Sequence, residues 1–190
     1  MKFFLIILIY LIFCIFLPSQ TSADVEQVQE YLKSKTQTIK IIVPFNVGGR
    51  SDFLARVLAV ELEQNLGMNV AIINIAGKKG WTEASRAKPD GCTLSIYNRN
   101  LPLSADDGPS LKDFEPIAIF AFHEREYGFY GLLAPKNTGK DIITHFENAT
   151  EKAVHRKNFI TNLEKMKLGM KAYFVNSDNF LATIKGWLKR

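Results

Sequence analysis

Ile39–Leu66, IKIIVPFNVGGRSDFLARVLAVELEQNL, is the stretch whose reading decides the fold. Ile39, Ile41, Ile42 and Val43 form a short β-branched run stopped by Pro44, the pattern of a buried strand. Gly48-Gly49 allow a tight turn, and either Ser51 or Asp52 can cap the helix that follows. Leu54, Val57, Leu58, Glu61, Leu62 and Leu66 then keep a helical period on one face. A strand, a glycine turn and a helix in this order present backbone N–H groups at a helix N-terminus, where an anion can sit. The same unit also serves as a plain α/β turn that binds nothing, and the stretch by itself leaves both readings open.

Downstream, the pattern repeats. Gly67 ends the helix as a C-cap, and Val70–Ile73 reads as a second strand running into the loop Asn74–Gly80. A short helix over Trp81–Ala87, a Pro89-Asp90-Gly91 turn and a third strand over Thr93–Tyr97 follow. Strands alternating with helices at these spacings predict an α/β fold with a mainly parallel sheet flanked by helices. Ligands of such sheets bind beyond the carboxyl ends of the strands. The loops Phe45–Asp52, Asn74–Trp81 and Asn98–Ser104 all leave strand C-termini and converge there, which places Asn46 and Asn98 among the candidates.

After a polar connection over Leu101–Lys112, the apolar runs Pro116–Phe122 and Tyr127–Ala134 flank His123-Glu124-Arg125-Glu126, as in a hairpin with a charged turn. Thr138 with Asp141 resembles a capping box for a helix carrying Ile142, Ile143, Phe146, Ala149 and Ala153. A second helix is expected over Lys157–Leu168. A last one, capped by Ser177 or Asp178, would carry Phe180, Leu181, Ile184, Trp187 and Leu188.

The N-terminus is of a different kind. Lys2 precedes an unbroken apolar run, Phe3–Leu17, and small residues follow at Thr21 and Ala23. This predicts a signal peptide over residues 1–23, cleaved before Asp24, with an uncleaved anchor as the alternative. Residues 24–38 read as a loose lead-in or a short helix, and 39–190 as a single α/β lobe. Cleavage would remove Cys14 and leave Cys92, a small hydrophobe on a strand, with no partner for a disulfide. It would also take the net charge from +5 to +4. Lys152, Arg156, Lys157, Lys165, Lys167 and Lys171 are spread over helical patterns and read as solvated faces, so nucleic acid is not an expected partner.

Catalytic and metal chemistry find no footing. His123, His145 and His155 lack ligand spacing, and no serine sits in a G-x-S-x-G elbow. VGGRSD lacks the Lys-Ser/Thr ending of a phosphate loop and the third glycine of a dinucleotide fingerprint. Asp106-Asp107 fits a flexible polar loop. The chain is read as no enzyme, with no cofactor and no metal.

Several motifs together resemble a family, the substrate-binding receptors of tripartite tricarboxylate transporters, also called Bug or TctC-like receptors. Val43-Pro44-Phe45, Gly48-Gly49 and Ser51-Asp52 match its opening V-P-F/Y, Gly-Gly and polar-Asp pattern. Asn74, Gly77 and Gly80 match its second loop, followed by Ala87-Lys88-Pro89-Asp90-Gly91-Cys92-Thr93-Leu94 and by LKDFEPIA at Leu111–Ala118. GFYGLLAPKNTGKDIITHFENATEKAV, from Gly128, resembles a late segment of the family, and FITNLEKMKLGMKAYFVNSDNFLATIK, from Phe159, resembles its last helices. Residues 39–121 thus match the family's N-terminal segment and 127–190 its C-terminal segment, with almost nothing between them.

The resemblance implies lobe one of a type II periplasmic-binding-protein fold with the second lobe deleted at the hinge. It also implies a periplasmic receptor for a small carboxylate that works with membrane transporter subunits. Phe45, Gly48, Gly49, Ser51 and Asp52, with the Asn74–Gly80 loop, would face the ligand. Lys78-Lys79 replace small residues of the family's second loop, where they either attract an anion or block close backbone approach, and Asn98-Arg99-Asn100 replace its hydroxyl-rich third loop. With half the contacts gone, binding would be weak or lost. The alternatives are a degenerate non-binding remnant and a periplasmic protein-interaction module.

Overall fold

The computed structural model describes residues 20–102, 108–123, 128–167 and 169–188. The elements are α1 (Gln20–Lys35), β1 (Thr38–Val43), α2 (Arg50–Leu66), β2 (Asn69–Asn74), α3 (Lys78–Ser85), β3 (Thr93–Asn98), a 3-10 turn (Leu111–Asp113), β4 (Phe114–His123), β5 (Gly128–Pro135), α4 (Lys140–Val154), α5 (Lys157–Lys165), β6 (Met170–Asn176) and α6 (Ser177–Leu188). The expected leader falls outside the described residues except where α1 begins, and so does the Asp106-Asp107 loop. Among the described residues no helix is long and apolar enough to cross a membrane.

The strands form one six-stranded sheet in the order β2-β1-β3-β5-β4-β6. β1 pairs in parallel with β2 and β3, as the βαβ pattern requires. β5 is antiparallel to both β3 and β4, and β6 is antiparallel to β4. Four strands therefore point one way, β1 to β4, and two the other way. β4 and β5 pair as the expected hairpin.

Strand alternation divides the apolar side chains between two faces. Ile39, Ile41, Val43 and Ile96 lie in the core with α1, α2, α4 and α5, where Leu54, Leu58, Leu62, Phe146 and Phe159 are fully buried. Ile42, Tyr97, Ile119 and Leu133 lie on the other face, with Trp81 of α3 and Phe180 of α6. Each such side chain adds about 1.5–3 kcal/mol relative to leaving it in water. The result is helices on both faces of one sheet.

Pro116 sits inside β4, a strand paired on both sides, although proline lacks a ladder donor. A register shift between Pro116 and Ala118 absorbs it as a bulge.

Four sequence expectations need correction. The N-cap of α2 is Gly49, with no side-chain cap; Asp52 instead accepts the Gly48 N–H at 2.9 Å. Gly139, not Thr138, precedes α4, because the Thr138 hydroxyl donates to the Pro135 carbonyl at 2.7 Å. Asn176 rather than Ser177 serves the start of α6, its Oδ1 accepting the Asn179 N–H at 3.2 Å. Met170–Asn176, expected within a helical tail, is strand β6, which carries Lys171. Arg156 is exposed, as expected of a surface cation, and in addition donates to Gln64 and Asn65 and pairs with buried Glu61.

Candidate functional site

The three loops leaving β1, β2 and β3 are stitched to one another by backbone and amide groups. Ile75 N–H donates to the Val43 carbonyl and Gly77 N–H to the Pro44 carbonyl, each at 3.0 Å. Asn74 Nδ2 donates to the Phe45 carbonyl at 3.2 Å, while its Oδ1 accepts from Arg56 at 3.3 Å. Asn98 Nδ2 reaches Ser51 Oγ at 3.4 Å, and its Oδ1 accepts the Asn100 N–H at 2.8 Å.

Asp52 is the electrostatic centre of this framework. It is 3% exposed and holds Arg56 through Nε at 3.1 Å and Nη2 at 3.0 Å. Burial acts to raise its carboxyl. Hydrogen bonds from Arg56, the Gly48 N–H and Asn74, together with the Arg56 charge, outweigh burial and hold it below the ordinary range. Its charge is thereby committed to the loop rather than to a bound molecule.

Two glycines are demanded by geometry. Gly77 has φ 72° and ψ −154°, a region that side chains other than hydrogen rarely enter. A Cβ at Gly80 would lie 1.9 Å from the Ile75 carbonyl oxygen, so the loop can cross the start of α3 only with glycine there.

Between these loops lies a cavity of about 500 Å³, lined in part by Phe45, Asn46, Gly77, Lys78, Trp81 and Asn100. Phe45 meets Trp81 edge to face at 6.0 Å, and Trp81 meets Phe114 at 6.2 Å. The cavity therefore offers aromatic surface, two amide side chains and an ammonium group, a set suited to a small anion with an apolar body.

Of the sequence candidates, Phe45, Asn46 and Gly77 line this cavity. Ser51, Asp52, Asn74 and Asn98 hold the loops together, and Gly48, Gly49 and Gly80 shape their turns. Sequence reasoning missed Trp81, read simply as the start of a helix; an aromatic directly after a glycine loop was the available signal. Lys78 lines both this cavity and an adjoining groove, and Lys79 lines the groove alone. Cys92 is half-buried just before β3, and burial, then Asp90, pushes its thiol up to about 11. Among the described residues no group of three or more His, Cys, Asp or Glu is placed to hold a metal.

Comparison with known proteins shows a shared fold and local sequence similarity. The fold is that of a TctC solute binding protein from Polaromonas, with TM-score 0.67 at 14% identity over 79% of this chain and 94% of that one. It is likewise shared with a Rhodopseudomonas palustris protein solved with adipate, at TM-score 0.68, 12% identity, 82% of this chain and 95% of that one. MatC of the same organism, with bound malate, gives TM-score 0.60 at 16% identity over 70% and 89%.

In sequence, the chain is 42% identical over 84 residues to Protein BugT of Bordetella pertussis, covering 43% of this chain and 25% of BugT. It is 34% identical over 100 residues to a UPF0065 protein of Agrobacterium vitis, covering 51% and 28%. The matches thus span about a quarter of those relatives' length. No protein-family model matches. The chain is thus similar in sequence to BugT and to the UPF0065 protein, and in fold to TctC and BugD solute-binding proteins.

Proposed function

We propose that this protein is a single-lobed periplasmic receptor that holds a small carboxylate in the cavity between the β1, β2 and β3 loops. The observation that carries the reading is the lining: Lys78, Asn46 and Asn100 can meet a carboxylate while Phe45 and Trp81 take its carbon body. The malate and adipate held by two proteins of the same fold favour that ligand class.

The β4–β5 hairpin supports the single lobe. β3 ends at Asn98 and β4 at His123, at the same end of the sheet, and residues 124–127 alone join His123 to Gly128. That is where the inserted second lobe of the family would leave and return. A single open lobe excludes less water than a closed pair, so binding is weak. Membrane subunits of a tripartite transporter are the corresponding partners.

A non-binding remnant is the second reading, and the commitment of Asp52 to Arg56 favours it. A third, an interaction module, draws on Val47, 70% exposed at the tip of the β1 loop. A thermal-shift titration with malate, adipate and citrate separates them. Ligand at a hundred times its dissociation constant adds about 2.7 kcal/mol. A rise with one carboxylate that is lost in Lys78→Ala and Asn46→Ala supports the receptor. A cooperative transition indifferent to all three overturns it.

A further inference from the structure

A second groove lies on the sheet face that carries α3 and adjoins the cavity described above at Lys78, which lines both. Its floor is Ile42, Ile73 and Ile75, and its rim carries Lys40, Lys78, Lys79 and Arg86 with one acid, Glu83, among the lining residues. Its volume is about 610 Å³. In the β1–β2 register Lys40 stands beside Ala71 and Ile42 beside Ile73, so these four share one face. Lys40 precedes the apolar floor at one end, and Ile75 leads into α3 at the other. Lys79 and Arg86 are separated by roughly 10 Å along the helix axis.

An independent observation concerns β2 itself. It is the outermost strand on that side of the sheet, and its sequence, NVAIIN, contains no charge and no proline, the usual guards of an edge. The Val70 N–H, at the start of the edge, is closed by Glu63 Oε1 at 2.9 Å. Ile75 N–H turns inward to the Val43 carbonyl. Backbone direction alternates along a strand, so Ile72 and Asn74 are the residues that face outward between these two points.

We propose that β2 and this groove dock an extended segment of a partner protein, added as a further strand, with an acid-x-apolar-x-acid pattern. Its apolar side chain would lie beside Ile73. Its two acids, about 13 Å apart on the same face, would reach the cations at either end of the floor. The net excess of lysine and arginine around Ile42 and Ile73 selects acidic over basic segments.

Amide NMR of the purified full chain tests this with three capped heptapeptides. One is centred on Glu-Thr-Val-Thr-Glu, one on Lys-Thr-Val-Thr-Lys, and one is a scramble that places the two glutamates together. The first peptide alone should shift the amides of Ile72 and Asn74, and Lys79→Glu with Arg86→Glu should weaken it at least about ten-fold. Both substituted positions are exposed, and an unchanged unfolding midpoint certifies the variant. Should the variant fail to fold, the lysine peptide still decides the charge dependence. No shift at millimolar peptide, equal shifts with the scramble or the lysine peptide, or shifts confined to the other edge strand, β6, would each overturn the proposal.

Discussion

Arg156 Nε stands 3.4 Å from Oε2 of Glu61, a carboxylate only 1% exposed, and thereby ties the end of α4 to the middle of α2. Asn158 donates to the other oxygen, Oε1, at 2.7 Å. Arg156→Ala leaves this buried charge with Asn158 as its remaining side-chain partner, at an expected cost of about 2 kcal/mol in urea unfolding. Adding Glu61→Met should recover most of that loss, because the charge that needed a partner is gone. A double variant as unstable as the single one would show that Arg156 acts through packing alone.

Gly80→Ala and Gly77→Ala should fail for different reasons. At Gly80 the new methyl meets the Ile75 carbonyl, so the loop must move, and more than about 3 kcal/mol is lost. At Gly77 the methyl meets nothing within 4 Å, and only backbone strain of about 1–3 kcal/mol remains. Denaturation midpoints of the two variants, compared with carboxylate binding by each, check the order.

Asp52 gives the fold an acid-side dependence. Its carboxyl is held below its ordinary value in the folded chain, so its stabilisation is complete above that value and disappears as pH falls through the folded one. Unfolding free energies measured from pH 6 down to pH 2 should fall more steeply for the native chain than for Asp52→Asn. Equal slopes would mean that Arg56 does not hold the ionised form.

His145 acts in the neighbouring window. Burial, then the Lys152 charge, lowers its pKa from 6.5, so the folded chain takes up this proton less readily than the unfolded chain does. Stability therefore declines as pH drops below about 6.5, by no more than about 1.4 kcal/mol per pH unit. His145→Gln should flatten the curve between pH 7 and pH 5.

The parallel half of the sheet was readable because each strand there is a short run of strand-forming residues closed by Pro44, Asn74 or Asn98. The loops could be placed for the same reason. What escaped was the role of each polar side chain. Ser51, Asp52, Asn74 and Asn98 all lie on the right loops, yet whether an amide faces a cavity or a neighbouring carbonyl depends on pairings such as Asn74 with Phe45. β6 escaped because Met170, Ala172 and Phe174 alternate with polar or exposed positions over one short run between two helices. Arg156 looked like any surface cation; its partners, Glu61, Gln64 and Asn65, belong to a distant part of the chain.

The hairpin of β4 and β5 also bears on the order in which the chain can fold. β5 occupies the middle of the sheet, between β3 and β4, and a four-residue connection brings it to β4. Closing so short a loop costs little entropy, and hairpins form in about 1–10 μs, far ahead of crossovers through a helix. The central antiparallel pair is thus available as a nucleus on which β3, and then β1 and β2, can assemble. In refolding experiments Ile119→Val should slow folding, whereas Leu62→Ala in α2 should chiefly hasten unfolding. The reverse pattern would put the start of folding in the βαβ half.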